Sequence, residues 1–442
     1  MNLNREILRL SIPAIISNIT VPILGLSDTT ISGHLGSEIY IGAIAVGTMM
    51  FNVIFWLFGF LRMGTTGLTA QAYGAGDNES CRQLLVRSSM LGVIIGIAII
   101  LLHYPLRELL LLLISPDASV AQYSSDYFNI CILGAPALLF NMSVMGWMLG
   151  MQNTVRPMII SVSVNIINIV LSLAFVFLMD MGFNGVALGT MLSNWCGVAI
   201  SLWFITRYYD GRLPDIKRDD LLKVSDMGRF FKVNTDIMLR SACVMSVSLS
   251  VTAIGAQLGA MTLAANAIMM QFFILFSYFM DGFAFAAEAL SGRFAGAKDL
   301  PMLRKSVGYL AVWALGVALM FTVVYVFGYQ YIVRFITSEQ DVVAVVVDHS
   351  LWLQLIPIVT VAAFIFDGVY IGLTATRRML WVTLSSALLF FAICFLHIGG
   401  DNLFALPDND TLWVGFLAYL LLRGLLLGIG TPKLLQSIVK SS

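Results

Sequence analysis

Seven ionisable side chains interrupt stretches that are otherwise apolar, and these are the positions where chemistry could be done: Asp28, Asp281, Glu288 and Asp367, with Arg62, Arg240 and Arg423. A charge near a bilayer centre costs about 2.5–3.5 kcal/mol on insertion scales, so such residues mark ion paths, proton relays or buried pairs. Asp28 is the lone carboxylate of Ile19-Thr-Val-Pro-Ile-Leu-Gly-Leu-Ser-Asp-Thr-Thr-Ile-Ser-Gly-His-Leu-Gly36. A proton and a cation compete for a carboxylate placed this way; the bland reading is an anchor between helices. Ser161, Asn165, Asn168 and Ser172 are spaced by 4, 3 and 4 residues, which puts them on one helical face opposite Ile, Val and Leu. Such a stripe supplies oxygen ligands to a cation, or hydrogen bonds between helices. Asp281 and Glu288 are two helical turns apart, and Asp367 stands in a separate apolar run. None has a basic neighbour within a turn. Arg240 is the obvious partner, and an acid paired with it would be structural. Unpaired acids could bind a cationic substrate or form a second proton site. Arg62 either snorkels to the interface or closes a gate between the two halves, and Arg423 poses the same choice.

The elements that must position these groups are membrane helices. The 442 residues are 59% hydrophobic and 11% charged, against about 25% charged in soluble domains. A helical span takes about 20 apolar residues. Twelve are expected, at 10–34, 41–66, 84–103, 124–150, 157–179, 185–207, 233–257, 262–290, 306–332, 345–373, 379–399 and 411–436. The first run is too long for a signal core and is expected to be retained. Twenty of the 25 Lys and Arg fall at the N-terminus and in alternate loops, and only Arg107 and Arg334 fall in the opposite ones. The positive-inside rule then puts both termini in the cytoplasm. The five cysteines show no metal or redox spacing, and the four histidines fall near span ends with no assigned role.

The chain repeats itself. Gly74-Ala-Gly-Asp77 returns as Gly296-Ala-Lys-Asp299, and Gly146-x-x-x-Gly150 with Arg156 returns as Gly368-x-x-x-Gly372 with Arg378, both 222 residues on. His34-Leu-Gly36 returns as Gln257-Leu-Gly259 at 223. Six spans per half is an even number, so the two halves are parallel repeats, the pattern of an alternating-access transporter. The expected organisation is a six-helix lobe over 1–208, a charged cytoplasmic linker over 209–232 and a second lobe over 233–442. Glycine pairs at Gly146/Gly150, Gly185/Gly189, Gly255/Gly259 and Gly424/Gly428 would serve close packing.

Three long segments carry a family resemblance. Phe60-Leu-Arg-Met-Gly-Thr-Thr-Gly-Leu-Thr-Ala-Gln-Ala-Tyr-Gly-Ala-Gly-Asp77 resembles the end of the second helix in the multidrug and toxic compound extrusion (MATE) family, its DinF-like branch in particular. Asp281-Gly-Phe-Ala-Phe-Ala-Ala-Glu-Ala-Leu-Ser-Gly-Arg-Phe-Ala-Gly-Ala-Lys-Asp299 is similar to that branch's eighth helix, and Phe366-Asp-Gly-Val-Tyr-Ile-Gly-Leu-Thr-Ala-Thr-Arg377 to its tenth. The resemblance implies two six-helix lobes and export of organic cations and other amphiphiles in exchange for protons or sodium. It implies that Asp28 is the first-lobe acid, that Asn168 pairs with it, and that Thr190 supplies a further oxygen. Where relatives often have a second acid one turn after the asparagine, this chain has Ser172. A sodium ion held by Asp28, Asn168 and Thr190, with Asn165 nearby, would lose a negative charge, which favours single-proton chemistry.

The expected function is therefore a monomeric antiporter of the bacterial inner membrane for amphiphilic, mainly cationic compounds. It would need no cofactor beyond H+ or Na+ and no nucleic acid. The Met- and Phe-rich run Met269–Met280 would suit mixed ligands. A lipid-linked saccharide flippase would be expected to carry several basic cavity residues; a citrate-like anion exporter is kept open by Arg62 and Arg240. An enzyme is not the expected class, for want of a nucleophile constellation, a metal cluster or a second acidic pair after Asp219-Asp220.

Overall fold

The computed structural model describes residues 2–35, 37–210, 224–397 and 408–440. Among them there are helices, turns and no strand. Twelve helices are long and apolar enough to cross a membrane: α1 Leu3–Gly33, α2 Glu38–Gly74, α3 Asn78–Leu101, α4 Ala118–Gly150, α5 Val155–Leu178, α6 Phe183–Tyr208, α7 Gly228–Gln257, α8 Ala260–Gly296, α9 Leu300–Ile336, α10 Ser350–Gly372, α11 Thr376–Leu396 and α12 Asp408–Ser437. Each meets one expected span. Shorter helices, His103–Ile114 and Gln340–Asp348, precede the fourth span of each half. Residues 211–223 of the expected linker, with Asp219 and Asp220, lie outside the described residues.

The helices form two compact units, one of residues 16–234, the other of residues 1–15 and 235–442. Helix α1 is thus divided between them. Its N-terminal part is tied to the second unit by Arg293 with Glu6 at 3.4 Å and by Trp313 with Asn4 at 3.0 Å.

The repeat is visible atom by atom. The Asp77 amide closes onto the Ala72 carbonyl at 2.9 Å, and the Asp299 amide onto Phe294 at 3.0 Å; Asn153 closes onto Met148 at 3.0 Å and Ala375 onto Tyr370 at 2.9 Å. These closures end helices in the Schellman manner. The left-handed residue is Gly76 in one repeat and Lys298 in the other, then Gln152 and Thr374, again 222 apart. Asp77 and Asp299 each cap the next helix, accepting from the amides of Ser80 and Met302 at 2.9 and 3.0 Å. The Ser80 amide and hydroxyl hold the Asp77 carboxyl below the usual carboxylate range.

The glycine pairs explain the helix contacts. A Cβ on Gly146 or Gly150 would strike the backbone of Arg62 or Thr66; one on Gly368 or Gly372 would strike that of Ala284 or Glu288, each partner also 222 residues on. Helices α2 and α4, and α8 and α10, therefore meet backbone to backbone. Gly424 packs on the backbone at Ala362 and Ala363, and Gly428 on the Phe366 ring. Gly259 departs from expectation. It precedes α8 at φ +116 with open space around its Cβ position, so it turns the chain rather than packing a helix face.

Candidate functional site

In the 16–234 unit, Asp28 is only 7% exposed, and its Oδ1 finds no hydrogen-bond partner among the described residues. A buried polar atom left this way is costly to folding, and Asp367 Oδ1 in the other unit shares this condition. The α5 stripe is tied both to α1, the helix that carries Asp28, and to α6. Asn165 Nδ2 donates to Thr20 Oγ1 of α1 at 2.8 Å, and Asn168 Nδ2 donates to Thr190 Oγ1 of α6 at 3.2 Å. Ser172 Oγ donates to Asn168 Oδ1 at 3.0 Å. Tyr127 of α4 lies within electrostatic reach of Asp28, as does Cys131. The far face of α5 presents Ile166, Val170, Leu173 and Phe177 outward, each at least 41% exposed, with the same 4, 3, 4 spacing as the polar stripe.

Two features of the chain fix this geometry. Residues Ala174–Leu178 form a π-helical turn directly after Ser172; such turns are rare and concentrate at functional sites. Gly189 on α6 brings that helix against Ser172, where an added Cβ would fall 2.8 Å from the Ser172 nitrogen. Gly189→Ala must therefore push α5 from α6. Overpacking of this kind costs typically about 1–3 kcal/mol. The expected result is a lower thermal midpoint together with impaired transport, whereas Gly25→Ala, which meets open space, should shift neither. Thermal unfolding in detergent checks the first effect and liposome flux the second.

Sequence reasoning missed Tyr127, Asn141 and Asn194. The polar network continues through them. Asn194 Nδ2 donates to the Thr190 carbonyl at 2.9 Å, Asn141 Nδ2 to the Asn194 carbonyl at 3.0 Å, and Ser201 Oγ to Asn141 Oδ1 at 2.8 Å. The available signal was an amide in the apolar run Leu138-Leu-Phe-Asn-Met142.

The second unit is built differently. Asp367 of α10 is 6% exposed, and its Oδ2 accepts from Arg240 Nη2 of α7 and from Arg423 Nη2 of α12 at 2.8 Å. Arg423 also donates from Nη1 to the Tyr419 hydroxyl at 2.9 Å. Asp367 is thus the acid that Arg240 pairs with. Arg423, 4% exposed, does not snorkel; it is buried in the cluster. Asp281 is half-buried within electrostatic range of Arg423, and Glu288 is 2% exposed. Arg62 is half-buried, and its carbonyl accepts from Thr66 Oγ1 at 2.9 Å. In the Met- and Phe-rich run, Met269, Phe272, Phe276 and Met280 are at most 1% exposed, with Phe272 and Phe276 against Tyr325 and Phe321 of α9. This face of α8 is core.

Comparison with known proteins agrees with this architecture. The MatE family profile matches twice, at residues 13–174 and 237–396, once in each repeat. The chain is 35% identical over 433 residues to the DNA damage-inducible protein F of Escherichia coli, covering 96% of this chain and 90% of that one. It is 24% identical over 444 residues to a probable multidrug resistance protein NorM of Photorhabdus laumondii, covering 98% and 94%. The MATE transporter VcmN of Vibrio cholerae in its bent form superposes with a TM-score of 0.87 over 99% of this chain and 98% of its own, at 21% identity.

Proposed function

The chain belongs to the MatE family of membrane transporters, and on that premise we propose that it is a secondary antiporter exporting amphiphilic, mainly cationic compounds in exchange for protons, by alternating access. The observation that carries this reading is Asp28: a buried carboxylate with an unpartnered oxygen on α1, the helix to which Asn165 of the α5 polar stripe is hydrogen-bonded. In the proposed cycle Asp28 takes a proton from outside, the protein reorients, the proton leaves to the cytoplasm, and substrate travels the other way. Sodium is the second choice. Its ligands would be Asp28, Asn168 and Thr190, but Ser172 adds no charge, and its hydroxyl donates to the Asn168 Oδ1 that sodium would use. Export of organic anions, which unpaired span arginines would favour, loses support because Arg240 and Arg423 both converge on Asp367. The proposed setting is the bacterial inner membrane, both termini cytoplasmic, as a monomer.

The test uses purified protein in liposomes with a fluorescent organic cation. A pH gradient alone is expected to drive transport, and a sodium gradient at equal pH is expected to drive little. Transport driven by sodium alone would reverse the assignment of the coupling ion. Failure of both gradients would reject the substrate class.

A further inference from the structure

On the 235–442 unit, Arg377, Arg378, Trp381, Val382 and Ser385 line an open groove of about 670 Å³ at the start of α11. Below it the helix is bare. Trp381 is 56% exposed, Leu388 60% and Phe395 80%, at intervals of seven residues, so one face of α11 is uncovered along its length. In a membrane helix such a face meets acyl chains. The charged end is built as well. The Arg377 guanidinium lies 5.5 Å from the Trp381 ring centroid and 3.4 Å from Asp236, which also accepts from Thr376 Oγ1 at 3.1 Å. Arg378 crosses to α12, where its Nη2 sits 3.0 Å from the Cβ position of Gly430. Asp236 balances one of the two guanidinium groups, leaving the groove one positive charge in surplus.

We propose that this groove holds one anionic phospholipid of the leaflet on the basic-loop side. Its phosphate lies between Arg377 and Arg378, and an acyl chain runs down Trp381, Leu388 and Phe395. Guanidinium forks match phosphate oxygens in geometry as well as charge. A tryptophan at the foot of the headgroup layer is where amphipathic rings settle in bilayers. A free phosphate would use the arginines but not the apolar face, so the continuity of the two features favours a lipid.

The test uses the full chain in phosphatidylcholine bilayers containing brominated lipid, which quenches nearby tryptophan. The Trp381 signal is obtained by difference from Trp381→Phe. It is expected to half-quench at a roughly tenfold lower mole fraction of brominated phosphatidylglycerol than of brominated phosphatidylcholine. The pair Arg377→Gln with Arg378→Gln is expected to erase that preference. Arg378→Gln alone keeps the Asp236 pair intact, so it serves if the double variant misfolds; it should reduce the preference severalfold. Millimolar inorganic phosphate should leave the quenching unchanged. Equal quenching by both lipids, or a preference undiminished by loss of Arg378, overturns the site. Displacement by inorganic phosphate overturns the lipid as its occupant.

Discussion

Asp28→Asn is expected to abolish gradient-driven export while leaving the fold intact. Asparagine keeps the size and hydrogen-bonding capacity of the side chain but cannot exchange a proton for a charge. A one-for-one proton antiporter can concentrate its substrate about tenfold per pH unit, since one unit is worth 1.36 kcal/mol. The Asp28→Asn variant can only equilibrate, so its accumulation ratio should fall toward unity at every gradient. Its thermal midpoint should match or exceed that of the parent, because a carboxylate oxygen buried without a partner is a net cost to folding. Lost coupling with unchanged or raised stability separates a working group from a structural anchor. An anchor would lose stability when altered, and transport only as a consequence. The proposed role of Asp28 is lost if the variant accumulates substrate like the parent under a pH gradient.

Much of this site was legible from one face of one helix. The 4, 3, 4 spacing of Ser161, Asn165, Asn168 and Ser172 placed the amides together, and α1 and α6 supply their partners at Thr20 and Thr190. Hydropathy located all twelve helices, because a bilayer imposes a length that apolar runs record. It shortened α8 and α9, which each run to 37 residues, because their polar ends extend beyond any apolar window. The repeat was legible because helix-ending closures and backbone-to-backbone glycine contacts demand particular residues at particular places, and those survive in both halves. The division of α1 between two units was not legible. It depends on which neighbours Glu6 and Asn4 meet, and composition does not encode that. The Asp367 cluster was only half legible. Arg240 and Arg423 lie 127 and 56 residues from their acid, and a contact over such distances is decided by packing. Burial of Arg423 therefore had no local signal.

That cluster gives the second large effect. Arg423→Met should lower the thermal midpoint sharply, at a cost on the order of 3–5 kcal/mol, because breaking a buried pair leaves charge unanswered. Asp367→Asn should cost at least as much, since it leaves Arg240 and Arg423 facing each other without their shared acceptor. The informative measurement is the double variant, Asp367→Asn with Arg423→Met. If the three side chains act as one staple across α7, α10 and α12, its loss should fall short of the sum of the singles by about 1–3 kcal/mol. Additive losses would mean that Arg423 is held by something other than Asp367. A non-additive result also bears on transport. An acid already answered by two guanidinium groups offers little to a passing cation, whereas Asp28 has no such neighbour in its hydrogen-bond set. The two units then divide their labour by charge pairing, one carboxylate kept available for exchange and one neutralised to hold helices together. Asp367→Asn should accordingly reduce transport only in proportion to the folded protein recovered, with the accumulation ratio per pH unit unchanged in what remains. A fall in that ratio would place Asp367 in the coupling path beside Asp28.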